Sequence, residues 1–277
     1  MKLFVTGGTG FIGSHFVNAA HAAGHEVVAL RRSPASQPRV PLAAQPTWLD
    51  KEMPAVTADD FAGCNVLVHL AAGGVTPQPA TWELCYRVNV IESLRLCEAA
   101  LEAGVRRIVA AGSSTEYGLA GLRFDPIPPD APLEPTDPYA ASKASASIAL
   151  CALCRARKFE LAYYRIFSVF GEGQYEKNFW PQFRTAARAG EDFAMTLGEQ
   201  VRDFIPVEEV ASTLVHAAVR VDLSPGASCV KNLASGQPVT LRAFAEHWWA
   251  KWGAKGQLLF GAQPYRTGEV MRYVPQI

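Results

Sequence analysis

The stretch Lys2–Gly13, KLFVTGGTGFIG, constrains this chain more than any other. Leu3, Phe4 and Val5 form the short apolar run that a strand buried on both faces requires. Gly7, Gly10 and Gly13 follow at the G-x-x-G-x-x-G spacing, and the apolar periodicity beyond them predicts a helix over 12–23, closed by Gly24. In so tight a strand-to-helix turn, residues without a Cβ let a pyrophosphate approach the backbone. The free N–H groups at the start of the helix then hold it. The sequence implies a bound dinucleotide.

The remaining bounds narrow the class. A chain of 277 residues fits one large or two unequal domains, and 49% hydrophobic with 19% charged residues sustains a sizeable core. The formal net charge of zero argues against nucleic acid or a membrane surface as partner, and no apolar run reaches membrane-spanning length. The first strand begins at residue 2, so no leader and a cytoplasmic location are expected. Six scattered cysteines make no disulfide framework. Cys151 and Cys154 lie in an Ala-rich helical run with no second pair or nearby His to complete a metal site.

A second strand over 26–30 leads to Arg31, Arg32 and Ser33. A carboxylate at such a strand end bonds a ribose 2′-OH, whereas two cations and a hydroxyl suit a 2′-phosphate, so NADP(H) is expected over NAD(H). Residues 34–47 read as a loop, 48–50 as the end of a third strand and 66–70 as a buried strand in which His69 packs as a core residue. The helix predicted over 81–103 has two apolar stripes, which suits packing on a sheet and against a second subunit. A strand over 107–111 delivers Gly112, Ser113 and Ser114 at its carboxyl end. A loop with six prolines spans 118–138, a helix runs from 139 to 158, and a further strand covers 161–169. Beyond Gly171 the pattern changes, with a helix to about 189 after Asn178 and another capped by Thr240. The expected fold is a doubly wound parallel α/β sheet over 1–170, with about 204–234 returning to it. A smaller α/β substrate domain is expected over 171–277.

Ser113 at a strand end, with Tyr139 and Lys143 four apart on one helix face, supplies the parts of a carbonyl/alcohol proton relay. A phenol holds its proton to a pKa of ~10, and a nearby ammonium and cationic nicotinamide both favour its ionised form. Tyr139 can then exchange a proton with a substrate oxygen while hydride moves at the adjacent carbon.

The chain resembles the extended short-chain dehydrogenase/reductase family, specifically its nucleotide-sugar epimerases, dehydratases and reductases. The matching segments are TGGTGFIG at 6–13, HLAA at 69–72, GSSTEYG at 112–118, DAPLEPTDPYAASK at 130–143, RIFSVFG at 165–171 and RDFIPVEEV at 202–210. The resemblance implies a Rossmann fold with cofactor contacts from Gly7, Gly10, Phe11, Ile12, Arg31, Arg32, Ser33, Leu70, Ala71, Ala72, Tyr139, Lys143 and Ile166. It makes Ser113 the catalytic hydroxyl, with Ser114 as the alternative and a substrate contact. Asn178, Arg202 and Arg266 are implied to meet a nucleotide diphosphate, for which guanidinium forks are suited. An ion pair of Arg202 with Asp203 or Glu208 is the competing structural role. Ser168 departs from the Asn that many members carry near the sugar. A homodimer through helices 81–103 and 139–158 is also implied. Ser114 and Thr115 stand where a 4,6-dehydratase carries Asp-Glu, so elimination has no catalyst. With NADPH expected, the primary functional expectation is a reductase of a nucleotide-linked 4-keto-6-deoxyhexose. The alternatives are a nucleotide-sugar epimerase that recycles its cofactor and a non-catalytic NADP(H)-sensing regulator.

Overall fold

Strand β1 (Lys2–Thr6) is buried from Leu3 onward and lies inside a seven-stranded parallel sheet. The computed structural model describes residues 1–75, 79–220 and 222–277. Helix α1 (Phe11–Ala22) leads to β2 (Glu26–Arg31), β3 (Thr47–Asp50) and β4 (Val66–His69). Helix α2 (Trp82–Tyr86) continues into α3 (Ser93–Glu102) through a π-helical stretch at Arg87–Glu92, so the single helix expected over 81–103 carries an internal bulge. Then come β5 (Arg107–Ser113), α4 (Pro138–Arg157) and β6 (Glu160–Ile166). The chain continues through β7 (Ser168–Phe170), α5 (Phe179–Ala189), β8 (Phe193–Met195), β9 (Val201–Pro206), α6 (Val207–Val219) and β10 (Ser228–Leu233). It ends with β11 (Pro238–Thr240), α7 (Leu241–Lys251), β12 (Leu258–Phe260) and β13 (Arg272–Tyr273).

The strand order of the large sheet is β10-β6-β5-β4-β1-β2-β3. The order reverses between β1 and β4, and the crevice at their carboxyl ends is where such sheets bind ligands. Both faces are covered, as an all-parallel sheet requires. Phe16, Val17 and Ala20 of α1 share a core with Val210, Leu214 and Val215 of α6. Leu96, Ala100 and Leu101 of α3 pack with Leu150 and Cys154 of α4 beneath the other face. Cys154 is therefore a packed core residue, as the helical run around it suggested.

The strand expected over 161–169 breaks at Phe167, whose N–H reaches the Leu233 carbonyl at 3.0 Å. Beyond it, β7 pairs with β9, which also carries β11 and β13. The chain thus leaves the large sheet for a smaller α/β subdomain, where β8 and β12 form a second pair. Its core is aromatic: Phe170, Trp180, Phe183, Phe244 and Trp249 are buried together. Trp180 lies 4.6 Å from Phe170 and 4.9 Å from Trp248 between ring centres, within the range where ring quadrupoles favour tilted contacts. Phe183 is wholly buried at the centre of this cluster. Phe183→Ala should therefore cost about 3–5 kcal/mol of stability, read as a lower urea midpoint in chemical denaturation.

Candidate active site

The glycine turn is held by backbone contact. Gly10 N–H donates to the Gly7 carbonyl at 2.9 Å, and a Cβ at Gly13 would lie 1.9 Å from that same oxygen. Gly7 has φ +73°, and a Cβ there would stand 2.7 Å from Ala71 N. These two glycines let β1, α1 and the segment after β4 converge. Gly10 caps α1 without a side-chain hydrogen bond, and no acidic residue occupies the first turn. Phe11 and Ile12 therefore open the helix with N–H groups that no side chain caps, a suitable seat for an anion. The cradle fits a dinucleotide pyrophosphate.

Leu70, Ala71 and Ala72 run beside this turn, with Ala71 N–H donating to Thr6 Oγ1 at 3.3 Å. Thr6 Oγ1 also shares a 2.7 Å hydrogen bond with His69 Nδ1, and His69 Nε2 shares one of 2.8 Å with Ser93 Oγ. Burial, with a further contribution from the Lys143 charge, pushes the His69 pKa down to about 3. His69 is a satisfied, neutral core residue, as expected. The π bulge has a visible consequence too. It carries Asn89, whose Oδ1 accepts from Gly73 N at 2.7 Å and whose Nδ2 donates to Gly73 O and to Ser142 Oγ. The small-residue loop after β4 is thereby tied to α4.

Ser113 ends β5, paired in register with Ile166 of β6, and its Oγ lies 2.8 Å from Thr115 Oγ1. Asp137 caps α4 by accepting from Ala140 N at 2.9 Å, and Pro138 occupies the first turn, which places Tyr139 at the mouth of the helix. Tyr139 is close enough to Ser113 for that hydroxyl to favour its ionised form. Lys143 is buried one turn on, and its Nζ donates to the Ala111 carbonyl at 2.5 Å. The structure thus brings Ser113, Tyr139 and Lys143 together.

The electrostatics differ from the expectation. Burial, followed by the Glu116 charge, pushes the Tyr139 phenol up to about 12, opposite to the lowering expected. Burial lowers the pKa of Lys143 itself. The physical reason is desolvation of the ammonium, which the Ala111 carbonyl and the Glu116 charge offset only in part. The sequence reading also passed over Glu116, which has no exposed surface and whose Oε1 accepts from Ser113 N and Tyr163 OH, both at 2.8 Å. Its Oε2 accepts from Arg165 Nε at 2.7 Å. Its place against the strand shows at Gly112, where a Cβ would stand 2.6 Å from Glu116 Oε1 and 2.3 Å from the Tyr163 ring.

On the substrate side, Asn178 caps α5 without a side-chain bond to the helix. Arg202 is half buried, and its Nη2 donates to the Val270 carbonyl at 2.6 Å and to Glu269 Oε1 at 3.2 Å. Neither Asp203 nor Glu208 is its partner, since Asp203 accepts from Ser235 and Gly236 instead. Arg266 is exposed and opens the turn that ends at Glu269, so the two arginines meet the same short segment. The Ser114 carbonyl accepts from Tyr273 OH at 2.9 Å.

At the end of β2, Arg32 is exposed and Ser33 half exposed. Arg31 is committed: its Nε donates to Asp50 Oδ1 at 2.6 Å, and its guanidinium lies 4.7 Å from the centre of the Trp48 ring. Asp50 ends β3, which pairs with β2, so a carboxylate reaches this site from the neighbouring strand.

Comparison with known proteins agrees with this geometry. A family model described as the NAD dependent epimerase/dehydratase family matches residues 3–228. A UDP-glucose 4-epimerase of Azospirillum brasilense is 28% identical over 264 residues, covering 87% of this chain and 74% of that one. A ketoreductase of Stigmatella aurantiaca is 38% identical over 121 residues, but the match spans only 43% of this chain and 35% of that protein. Among solved structures, MoeE5 in complex with UDP-glucose and NAD superimposes with a TM-score of 0.81 at 28% identity, covering all of this chain and 90% of MoeE5. The NAD-dependent NDP-hexosamine 5,6-dehydratase TunA gives 0.82 at 28% identity, covering all of this chain and 89% of TunA.

These similarities overturn the expected preference for NADP(H). The similar structures carry or depend on NAD. The arginine assigned to the 2′-phosphate is already neutralised by Asp50, whose charge would repel a phosphate.

Two outcomes follow from this geometry. Gly13→Ala should sharply weaken dinucleotide binding, measured by titration calorimetry, because its Cβ collides with backbone that cannot yield. His69 titrates at about 6.5 unfolded and about 3 folded, so protons bind the unfolded state preferentially between those values. Its contribution is complete above pH ~6.5 and is lost as pH falls, with a limiting slope of about 1.4 kcal/mol per pH unit. His69→Gln should flatten the fall in denaturation free energy between pH 6.5 and 5.

Proposed function

Starting from a chain that belongs to the NAD dependent epimerase/dehydratase family, we propose that it interconverts epimers of a nucleotide-diphosphate sugar, retaining NAD as a recycled cofactor. The observation that carries this reading is the Arg31–Asp50 pair. It leaves the adenosine end of the site suited to a ribose hydroxyl, and so removes the basis for drawing hydride from an NADPH pool. Gly7, Gly10, Gly13 and the first turn of α1 would hold the pyrophosphate, and Leu70, Ala71, Ala72 and Ile166 would line the path toward the nicotinamide. NAD, when bound, accepts a hydride from a sugar carbon and returns it.

The chain's own groups do the rest. Ser113 orients the sugar hydroxyl, and Tyr139 removes its proton during oxidation and restores it after the keto-sugar has turned over. A phenol held near 12 by burial needs a neighbouring positive charge to ionise, which Lys143 one turn on and an oxidised nicotinamide beside it would both supply. Lys143, with its ammonium at the Ala111 carbonyl, would position the nicotinamide ribose. Arg202 and Arg266 would take the diphosphate, Asn178 and Ser114 would add substrate contacts, and Arg202 would exchange Glu269 for phosphate oxygens. Neither Ser114 nor Thr115 can serve as acid or base for elimination near neutral pH. The buried Glu116 is fully engaged. A net ketoreductase is the second reading, supported by the Stigmatella aurantiaca relative.

Denaturing the purified protein should release NAD. Incubation with UDP-glucose and other nucleotide hexoses should interconvert epimers with no added reductant, and stoichiometric consumption of NADH or NADPH would select the ketoreductase instead. Tyr139→Phe should lower kcat by at least ~100-fold while leaving the melting temperature and NAD content nearly unchanged. Near-normal turnover in that variant would remove Tyr139 from the mechanism. The same reading includes a homodimer. Trp82, Ile91 and Ile148 are left 60%, 48% and 63% exposed on the paired helices, which Tyr86 OH and Ser145 Oγ join. Light scattering should report twice the chain mass, and Ile148→Glu should halve it.

A further inference from the structure

Glu116 is the least exposed charged side chain near the relay, and the reaction outlined above does not use it. Its carboxylate has a donor on each oxygen: Ser113 N–H and Tyr163 OH on Oε1, Arg165 Nε on Oε2. Those donors come from two strands: Ser113 ends β5, and Tyr163 and Arg165, two apart on β6, project from the same face of it. Tyr163 OH also approaches the backbone carbonyl of Lys143 at 3.3 Å, so the carboxylate is linked to α4 at the residue that carries the relay ammonium. Arg165 is fixed in turn by Tyr117 OH, the Pro129 carbonyl and Ser147 Oγ. Gly112 is a glycine because Glu116 and Tyr163 occupy the space of its Cβ. The side chain curls back beneath the strand end as the N3 partner of a capping box whose N-cap is Ser113.

We propose that Glu116 is a positioning residue for this active site: its Arg165-clamped carboxylate sets the direction of Ser113 and keeps a fixed negative charge behind Tyr139 and Lys143. The proposal rests on the Ser113–Tyr139–Lys143 relay and adds to it a group that touches none of the reacting atoms. Rotation of Ser113 about the strand end is blocked by its own backbone N–H bond to Glu116 and by the Oγ contact with Thr115. The charge acts in a definite sense. It opposes ionisation of Tyr139 and favours the ammonium form of Lys143, which burial otherwise weakens. The groups acting most on Tyr139 are Glu116 from the turn after β5, Asp137 from the cap of α4, Cys85 from α2 and the Ser113 hydroxyl. Lys143, one turn on along α4, and Arg165, paired to Glu116, are the cations of the same neighbourhood.

The test is the pH dependence of kcat/KM for Glu116→Gln beside wild type, with Tyr139→Phe as the control for the relay itself. Loss of the carboxylate should lower kcat/KM at pH 7 by about 10- to 100-fold, because Ser113 loses its fixed direction. It should also move the ionisation limb assigned to Tyr139 to lower pH by about one unit, since the opposing charge is gone. A merely structural glutamate would lower activity without moving that limb, and an unmoved limb overturns the proposal. If the single variant does not fold with Arg165 left unpaired, the double variant Glu116→Gln/Arg165→Met removes both buried charges and is expected to shift the limb in the same direction by a smaller amount, because the opposing cation goes too. An unmoved limb there overturns the proposal equally. Should Tyr139→Phe retain near-normal turnover, the relay fails first and the limb belongs to another group, a result distinct from an inactive Tyr139→Phe with an unshifted Glu116→Gln profile.

Discussion

The ion pair between Glu116 and Arg165 sits at the centre of a buried polar network. Both side chains are almost wholly inside, and removing two charges from water costs several kcal/mol per ion unless the remaining donors and acceptors are all occupied. Here they are. Glu116 receives three hydrogen bonds, and Arg165 donates to a carboxylate, a phenol, a carbonyl and a serine while its guanidinium lies 4.8 Å from the centre of the Tyr117 ring. Tyr117 passes the network on to Asn232 at 2.6 Å, and Asn232 donates to the carbonyls of Ile127 and Gln276. A single satisfied polar network therefore joins the end of β5, strand β6, helix α4, the proline-rich loop, β10 and the last residues of the chain. Its members cannot be changed singly without stranding a buried partner.

The second constraint is steric. β1, the start of α1 and the segment after β4 approach so closely that Gly7 and Gly13 admit no side chain, and that approach lies at the point where strand order reverses. The glycine turn and the topological crevice are thus two descriptions of one packing arrangement. The Asn89 bridge to Gly73 and Ser142 then couples the segment after β4 to α4, using the π bulge to aim the side chain inward.

Arg31 illustrates how a local reading goes astray. Two arginines and a serine after β2 fit a 2′-phosphate if only neighbours in the chain are considered. The parallel pairing of β2 with β3 brings Asp50 and Trp48 alongside, and the guanidinium is then both neutralised and stacked. The same point applies to Tyr139 and Lys143. Their four-residue spacing puts them on one helix face, but the lysine's ammonium reaches a strand carbonyl, and the phenol's acidity is governed by burial and by Glu116.

Local pattern alone determined most of the architecture, because its signals are short-range. The apolar runs of β1, β4 and β5, the glycine turn, the Asp137–Pro138 start of α4 and the Thr240 cap of α7 each depend on a few adjacent residues, and all are present in the fold. The grouping of Ser113, Tyr139 and Lys143 was legible for the same reason: each sits at an element boundary that the sequence marks. Tertiary structure decided what depends on residues far apart in the chain. The break between β6 and β7 follows from a bond to Leu233, the partner of Arg202 comes from residue 269, and the charge state around Arg31 is set from β3. Glu116 escaped notice because nothing next to it in sequence announces Arg165, which lies 49 residues on. Spacing predicts which residues share a face, but the field they feel is assembled by whatever the fold packs against that face.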